Sequence, residues 1–242
     1  MPIGVIVNSL AIAVGGILGA VLRSRISDEL KEKLNMVFGV SALGIGISSV
    51  VLMENMPAVI LALILGTIVG ILCHLNRHIE QAGLLLQKGL SKVLPGTSAL
   101  DEAQTALLVT TIVLFCSSGT GIYGSIVSGM SGEHSILLAK SILDLFTAMI
   151  FACSLGAVVS VIALPQFVIF LTLFLCARLI YPLTTPSMIN DFKACGGLIM
   201  LATGLRIARV KSFPIADMIP AMLLVWPLSA AWTAWIVPLL AG

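Results

Sequence analysis

Charge is scarce in this sequence of 242 residues, because Asp, Glu, Lys and Arg together make up only 10% of it. Apolar residues make up 59%, and the mean hydropathy is +1.14. A water-soluble domain has too little interior to bury so large an apolar fraction. The net charge of +2 is also far from the basic excess that nucleic-acid binding uses. These shortages exclude a soluble enzyme and a nucleic-acid reader.

The residues that usually carry catalysis or metal binding are few and scattered. The three histidines are not arranged with acids at a spacing such as H-E-x-x-H, and there is no Ser–His or Cys–His constellation and no ATP-binding motif. The five cysteines lack C-x-x-C spacing and lie singly in or beside apolar segments: Cys73, Cys116, Cys153, Cys176 and Cys195. We therefore expect no enzyme, no disulfide scaffold, no metal and no cofactor.

Long apolar segments, in contrast, are abundant. Windows of about 20 apolar residues, the length that crosses a bilayer, predict eight spans at residues 3–22, 36–53, 57–75, 104–121, 136–161, 163–182, 194–210 and 216–240. The predicted fold is an all-α polytopic membrane protein, a single integral membrane domain over residues 1–242 whose first partner is the lipid bilayer.

Basic residues assign a side to the connections between these spans. Ten of the 13 lie after the first, third and seventh spans: Arg23, Arg25, Lys31 and Lys33; Arg77, Lys88 and Lys92; Arg206, Arg209 and Lys211. Positively charged loops stay on the cytoplasmic side. This distribution predicts eight spans with both termini outside. Lys193 does not fit this topology, because it lies in the connection between the sixth and seventh spans, on the outer side.

Two polar segments on the inner side have helical signals. Ser27 and Asp28 resemble an N-cap before residues 29–35, and residues 79–93 alternate apolar with charged and polar side chains until Pro95 ends the helix. Both segments are predicted to lie in the interface plane of the membrane. The alternative is that they are solvated connectors.

The sequence contains a faint internal repeat. Laying residues 26–46 over 184–204 aligns three identities: Gly39 with Gly197, Leu43 with Leu201 and Gly46 with Gly204. Five spans separate the two copies, so under the predicted topology they enter the membrane in opposite directions. An inverted repeat, with halves 1–76 and 164–242 around a central element 104–163, is a recurring design of secondary transporters.

Two charges stand close together in the predicted span 136–161. Lys140 and Asp144 are four residues apart and share a helix face, and Asp144 lies about 12 Å along the helix from Ile136. A lone charge at that depth costs on the order of 3 kcal/mol, so it needs a partner. We expect the pair, with Thr147 nearby, to bind a substrate or coupling ion, or else to be a neutralising pair that fixes the helix.

A segment rich in glycine and hydroxyl groups precedes that span. It includes Ser118, Gly119, Thr120 and Gly121. Such a composition is typical of a broken helix or re-entrant segment, whose freed backbone groups coordinate a ligand. The alternative is an external loop with a Gly-rich turn.

A second interruption occurs where two prolines, Pro182 and Pro186, prevent a continuous helix. The hydroxyl groups of Thr184, Thr185 and Ser187 can satisfy the exposed backbone or cap the next helix. Arg178, one turn earlier, either snorkels to the headgroups or clamps an anion or pairs with an aspartate. In the first span, Asn8 with Ser9 either joins helices or touches substrate.

Five segments of the sequence resemble the YqgA/YdfK-type family of bacterial inner-membrane proteins. They are residues 115–122, 135–152, 183–188, 197–206 and 227–235. The resemblance covers essentially the whole chain. It implies a multi-pass protein of the bacterial cytoplasmic (inner) membrane, but this is a domain of unknown function, so the resemblance implies no binding or catalytic residue.

The sequence leads to two functional hypotheses. The first is a secondary transporter or exchanger of a small polar solute or ion, which uses the Lys140 and Asp144 pair, the Gly-rich segment and the break before Ser187. The second is a non-transporting scaffold or sensor whose interfacial helices contact a cytoplasmic partner. Both hypotheses are compatible with a homo-oligomer.

Overall fold

The computed structural model describes residues 1–22, 27–93, 102–116 and 118–241, and these form helices and no strand. The helices are α1 (Ile3–Leu22), α2 (Asp28–Val50), α3 (Met56–Leu72), α4 (Leu75–Val93), α5 (Glu102–Cys116), α6 (Gly119–Ser131), α7 (Ser135–Leu155), α8 (Val158–Val161), α9 (Ala163–Ile180), α10 (Pro186–Ile207), α11 (Ile215–Met218), α12 (Ala221–Ala231) and α13 (Val237–Ala241). A 3₁₀ turn over Tyr181–Leu183 precedes α10, and a π turn over Trp232–Ile236 joins α12 to α13.

The predicted class, an all-α polytopic membrane protein, is confirmed. Among the described residues six helical segments are long and apolar enough to cross a membrane: Ile3–Leu22, Glu32–Val50, Leu107–Ser131, Ser135–Leu155, Val158–Leu179 and Ile215–Leu239. The bent pair Met56–Leu72 and Leu75–Leu86 makes seven if it counts as one span. The count of eight stays a prediction, because α3 has only 17 residues and α10 carries three charged side chains.

Some predicted boundaries differ from the observed ones. The segment 29–35 is not a separate helix but the first turns of α2, because neither Gly nor Pro interrupts the chain before Met36. The segment 79–93 is helical and belongs to α4, which begins at Leu75. Three residues used for the sequence predictions lie outside the described residues: Arg23, Arg25 and Pro95.

The chain divides into two compact units. The first contains Met1–Asn35 and Arg77–Leu179, and the second contains Met36–Asn76 and Ile180–Gly242. These units are defined by contacts and not by the repeat, so the predicted halves 1–76 and 164–242 stay a prediction; α1 packs against α7 of the predicted central element.

In the first unit, α1 runs parallel to α7 at close range. A Cβ at Gly15 would overlap the carbonyl oxygen of Leu145, and a Cβ at Gly19 would overlap that of Met149. Glycines at such positions allow two helix backbones to approach closely. The core beside this contact is apolar and includes Ile12, Leu108, Phe115 and Ala148.

In the second unit, α2 and α10 pack antiparallel through glycines. A Cβ at Gly197 would lie 2.8 Å from the carbonyl oxygen of Gly46, and a Cβ at Gly204 would lie 2.8 Å from that of Gly39. The helices α3 and α12 also pack together. The rings of Phe192 and Trp226 are stacked with centroids 4.7 Å apart.

Candidate functional site

The first unit buries an ion pair inside α7. The Nζ atom of Lys140 lies 2.8 Å from Oδ1 and 2.6 Å from Oδ2 of Asp144. The two residues are only 4% and 6% exposed. Their spacing of four residues places them on one helix face, so the helix itself brings the charges together. The predicted pairing of Lys140 with Asp144 is therefore what the structure shows.

Uncharged polar side chains from two other helices complete the surroundings of this pair. Asn8 of α1 donates from Nδ2 to Asp144 Oδ2 at 2.8 Å. Gln166 of α9 donates from Nε2 to Asn8 Oδ1 at 2.5 Å, and Ser9 donates to Gln166 Oε1 at 2.6 Å. We call Asn8, Ser9, Lys140, Asp144 and Gln166 the Asp144 cluster.

The side-chain hydrogen bonds that link Ser9, Gln166 and Asn8 to Asp144 all have the same direction, while Ser9 also donates to the carbonyl oxygen of Val5. Ser9 donates to Gln166, Gln166 donates to Asn8, and Asn8 donates to the carboxylate of Asp144. Bonds aligned in this way polarise one another, and each strengthens the next. The carboxylate of Asp144 is thus bound by Lys140 of its own helix and by the last amide of this series of hydrogen bonds, Asn8.

The close contact between α1 and α7 positions Asn8 for this role. Gly4 lies one turn before Asn8 and faces Leu137, whose Cβ would be 2.9 Å from a Cβ at Gly4. Gly15 lies two turns after Asn8 and faces the backbone of Leu145. Because α1 lies this close to α7 on both sides of Asn8, its short amide side chain reaches the carboxylate directly.

Of the predicted site residues, the structure brings Asn8, Lys140 and Asp144 together. Thr147 lies nearly one turn after Asp144 on α7 and is half-buried. Gln166 was not among the predicted site residues, although it is fully buried and central to the cluster. The signal that could have identified it is its amide within an otherwise apolar predicted span.

The Gly-rich segment follows an interruption between two helices, since α5 ends at Cys116 and α6 begins at Gly119. Ser118 caps α6, since its Oγ accepts a hydrogen bond from the backbone N–H of Gly121 at 3.1 Å. Gly119 begins the helix, and Thr120 is buried in its first turn. Gly121 is needed for packing, because a Cβ there would overlap the ring of Phe170. The helix ends before Gly132, whose φ of 72° is left-handed.

The second unit contains a different polar centre, around a fully buried carboxylate. Asp191 of α10 accepts two backbone N–H groups with Oδ1, from Glu54 at 3.0 Å and Asn55 at 2.8 Å. Its Oδ2 accepts from Asn55 Nδ2 at 2.8 Å and from Ser229 at 2.6 Å. Ser187 accepts from Asn55 Nδ2 at 2.9 Å. We call these residues the Asp191 cluster; four uncharged donors hold this carboxylate at the start of α3.

The hydroxyl groups at the predicted proline break serve local backbone structure. Thr184 donates to the carbonyl oxygen of Tyr181 at 2.7 Å, and Thr185 caps α10 by accepting from the N–H of Met188. Arg178 is exposed in the last turn of α9. The carboxylate of Asp144 is bound by Lys140 and Asn8 instead of by Arg178.

The chemistry open to the Asp144 cluster is that of binding and proton exchange. It offers an ammonium group, a carboxylate and two amides. Across the described ranges, no group of three His, Cys, Asp or Glu side chains could hold a metal ion. A buried pair that is neutral as a whole can change its charge only by taking up a proton or an ion, and this is the property used below.

Comparisons with known proteins give a family without an assigned activity. A family model described as "Protein of unknown function (DUF554)" matches residues 3–230. The chain is 50% identical over 237 residues to "Uncharacterized protein YqgA" of Escherichia coli (strain K12), covering 97% of this chain and 99% of that protein. It is 26% identical over 227 residues to "Uncharacterized membrane protein YdfK" of Bacillus subtilis (strain 168), covering 91% and 93%. No solved structure matches the chain. The resemblance noted in the sequence is thereby confirmed.

Proposed function

This chain belongs to the DUF554 family, and we propose that it is a secondary transporter or exchanger, which carries a small polar solute or ion across the bacterial cytoplasmic membrane. The site we propose is the Asp144 cluster of the first unit. The chain crosses the membrane several times, with both termini outside. No ATP-binding motif occurs in the sequence, so transport draws on a gradient or on another subunit.

The observation that carries this proposal is the burial of a full ion pair within an apolar helix. Removing two charges from water costs several kcal/mol for each ion, and their attraction repays this only in part. Ionisable side chains within membrane spans commonly mark the pathway of a substrate or ion. Lys140 and Asp144 have this character, and Asn8 and Gln166 extend it across three helices.

A purely structural role for Lys140 and Asp144 could be filled more simply by small uncharged residues. The parallel contact of α1 with α7 already rests on small residues, among them Gly15 and Gly19. Small residues are enough to hold membrane helices together. The charged pair is therefore not needed to bring α1 to α7, which favours a role in binding.

The directions of packed helices support the proposed topology. Under eight spans, α1 and α7 cross the membrane in the same direction, whereas α2 and α10 cross in opposite directions. The glycine contacts agree with these directions. Successive contacts of α1 with α7 have increasing residue numbers on both helices, so the two helices are parallel. Contacts of α2 with α10 have increasing numbers on one helix and decreasing numbers on the other, so these two are antiparallel. The positions of the basic residues then favour termini that lie outside.

The contact of α2 with α10 also supports the proposed inverted repeat. The alignment of the two copies places Gly39 on Gly197 and Gly46 on Gly204. Gly204 contacts Gly39 in the structure. If each residue is replaced by its equivalent in the other copy, this contact becomes that of Gly46 with Gly197, and the structure contains this second contact as well. Contacts that exchange in this way are expected of two segments related by a two-fold axis.

Thermal stability followed by flux measurements tests the proposal. Purified protein is heated with a panel of cations, anions, neutral metabolites and pH values, beside a Lys140→Met/Asp144→Leu double variant that removes both charges. A ligand at about 100 times its dissociation constant stabilises by roughly 2.7 kcal/mol. We expect one class of solute to raise the melting temperature of the wild type but not of the double variant, and to cross liposomes with the wild type only.

The matched control is Ser141→Ala, which removes a buried hydroxyl that donates to the backbone carbonyl of Leu137 in the same helix. This variant should keep both binding and flux. A double variant that folds and retains the flux of the wild type would show that the Asp144 cluster is not the site.

A non-transporting scaffold or sensor is the second candidate, and α4 favours it. Gly83 packs on α5, where a Cβ would lie 2.9 Å from Val113, whereas Leu84 and Leu85 of the same helix are exposed. An amphipathic helix of this kind can bind a partner protein. If it is the functional element, Leu85→Ser should abolish function while the Lys140→Met/Asp144→Leu variant retains it.

A further inference from the structure

We infer that the Asp144 cluster binds one small monovalent anion together with one proton, so that the solute carried is an anion that travels with H⁺. This inference rests on the proposed transport function and names its substrate class. It follows from the charge of the pair and from the direction of the hydrogen bonds around it.

The charge of the buried pair requires that proton and anion bind together. At rest, Lys140 is positive and Asp144 is negative, so the site is neutral. An anion added to this state would give the buried site a net negative charge, and a proton added to Asp144 would give it a net positive charge. Either charge alone is costly in a site this well buried. When both bind, the site is neutral again.

The binding step involves one covalent bond. A proton from water forms an O–H bond at a carboxylate oxygen of Asp144, and the carboxylate becomes a carboxylic acid. The ammonium of Lys140 loses its counter-charge and pairs with the incoming anion without forming a covalent bond. Release reverses the step, and nothing is oxidised or reduced.

The donors needed to hold an anion are present. Lys140 Nζ has three N–H groups, and both of its hydrogen bonds to described residues go to Asp144. Asn8 Nδ2 also points at the carboxylate. Protonation of Asp144 weakens its hold on both donors, since a charged acceptor binds roughly twice as strongly as a neutral one.

A metal cation does not suit the same site. Such a cation needs several oxygen ligands, but the ammonium of Lys140 already binds both carboxylate oxygens of Asp144, and a second cation there would be repelled. Asn8 turns its NH₂ group, not its oxygen, toward Asp144. The cluster is thus built around negative charge.

The other titratable groups on the packed helices are few. Helices α1 and α8 have no titratable side chain. The titratable side chain of α5 near Lys140 is Cys116, and α6 contains Tyr123. Arg178 of α9 is exposed at the end of that helix, and His134, which precedes α7, bonds to Ser128. Asp144 is the carboxyl group at the centre of this neighbourhood.

The test measures anion binding and proton uptake by the purified full chain. The probes are the sodium salts of chloride, nitrate, formate and acetate, each compared with sodium gluconate at equal concentration. We expect at least one small anion to raise the melting temperature of the wild type by several degrees over gluconate, and increasingly as the pH falls. One proton should be taken up per anion bound, so the apparent affinity should rise about tenfold for each pH unit lowered.

Two variants separate this behaviour from general salt effects. Asp144→Asn imitates the protonated acid, so it should bind the same anion at every pH without taking up a proton. The Lys140→Met/Asp144→Leu variant has no ammonium group, so no small anion should shift its melting temperature. If Asp144→Asn does not fold, the double variant replaces it as the reference, and the proton uptake of the wild type is compared with that of the double variant.

Four outcomes decide the inference. An anion shift of equal size in the wild type and the double variant overturns it, and so does equal stabilisation of the wild type by sodium gluconate and by the four other sodium salts. If liposome flux depends on the pair but the solute carries no proton with it, the inference is wrong and the proposed transport function stands. If an anion and a proton bind together but no flux occurs, the inference stands and the transport function is wrong.

Discussion

Removing the buried charges one at a time and then together should have opposite consequences for stability. Lys140→Met leaves the carboxylate of Asp144 buried with only the amide of Asn8 beside it, and Asp144→Leu leaves the ammonium of Lys140 without a counter-charge. Breaking a buried pair at one partner costs about 3–5 kcal/mol. We therefore expect each single variant to lose roughly that much free energy of unfolding.

The double variant should recover most of this loss. Met and Leu fill a volume similar to that of Lys and Asp, and replacement of a whole buried pair by apolar residues is often neutral or stabilising. The remaining cost is the amide of Asn8, which loses its acceptor, at about 1–3 kcal/mol. The double variant should therefore be more stable than either single variant, with a coupling energy of at least about 3 kcal/mol between the two positions.

Thermal or denaturant-induced unfolding of the four proteins in one detergent measures this cycle, with Ser141→Ala as the control. Ser141 is buried on the same helix, but its hydroxyl donates to the carbonyl oxygen of Leu137 one turn earlier, so the loss of this local bond should cost about 1 kcal/mol or less. If the effects of the two single variants simply add in the double variant, Lys140 and Asp144 are not coupled, and the reasoning about the neutral buried pair is refuted.

Four further substitutions test other parts of the structure by the same unfolding assay. Gly15→Ala should lower the melting temperature strongly, because its Cβ overlaps the carbonyl oxygen of Leu145, whereas Gly44→Ala, with open space around it, should be neutral or stabilise by up to about 1 kcal/mol; equal effects would disprove the close contact of α1 with α7. Asp191→Ala should cost about 3 kcal/mol or more, since four donors lose this acceptor, although Asn55 Nδ2 keeps its bond to Ser187, and a loss below about 1 kcal/mol would contradict that account. Gln166→Leu should cost about 1–3 kcal/mol by interrupting the chain of hydrogen bonds, and an unchanged melting temperature would show that this chain adds nothing to stability.

The two clusters contain buried aspartates in different chemical settings. Asp144 has a cationic partner and one amide donor, so protonation changes the charge balance of a pair. Asp191 has four uncharged donors, two of them backbone N–H groups at the start of α3. Its carboxylate ties α10 to α3, and removal of a donor or of the charge acts on stability directly. This difference is why we assign binding to Asp144 and anchoring to Asp191.

The pairing of Lys140 with Asp144 was accessible from the sequence because it is local. Four residues of helix fix their relative position, and the apolar surroundings require a partner. The partner on α1 was not accessible in the same way, since Asn8 is 136 residues away from Asp144. The Gly-rich segment contains a helix interruption, as the sequence indicates, because α5 ends at Cys116 and Ser118 caps α6. That Phe170 fills the space that Gly121 leaves was not accessible from the sequence.

The sequence alone determined that this is a helical membrane protein. A bilayer forces each spanning segment to satisfy its own backbone hydrogen bonds, so length and apolarity of a segment are enough to identify it as a helix. Tertiary structure decided which polar side chains meet. Gln166, Asn8 and Asp144 lie on three helices, and Asn8 is far from both others in the chain; Asp191 likewise binds donors of the distant Asn55 and Ser229. Such meetings depend on how closely helices pack, and therefore on glycines and side-chain volumes at distant positions, which no local pattern records.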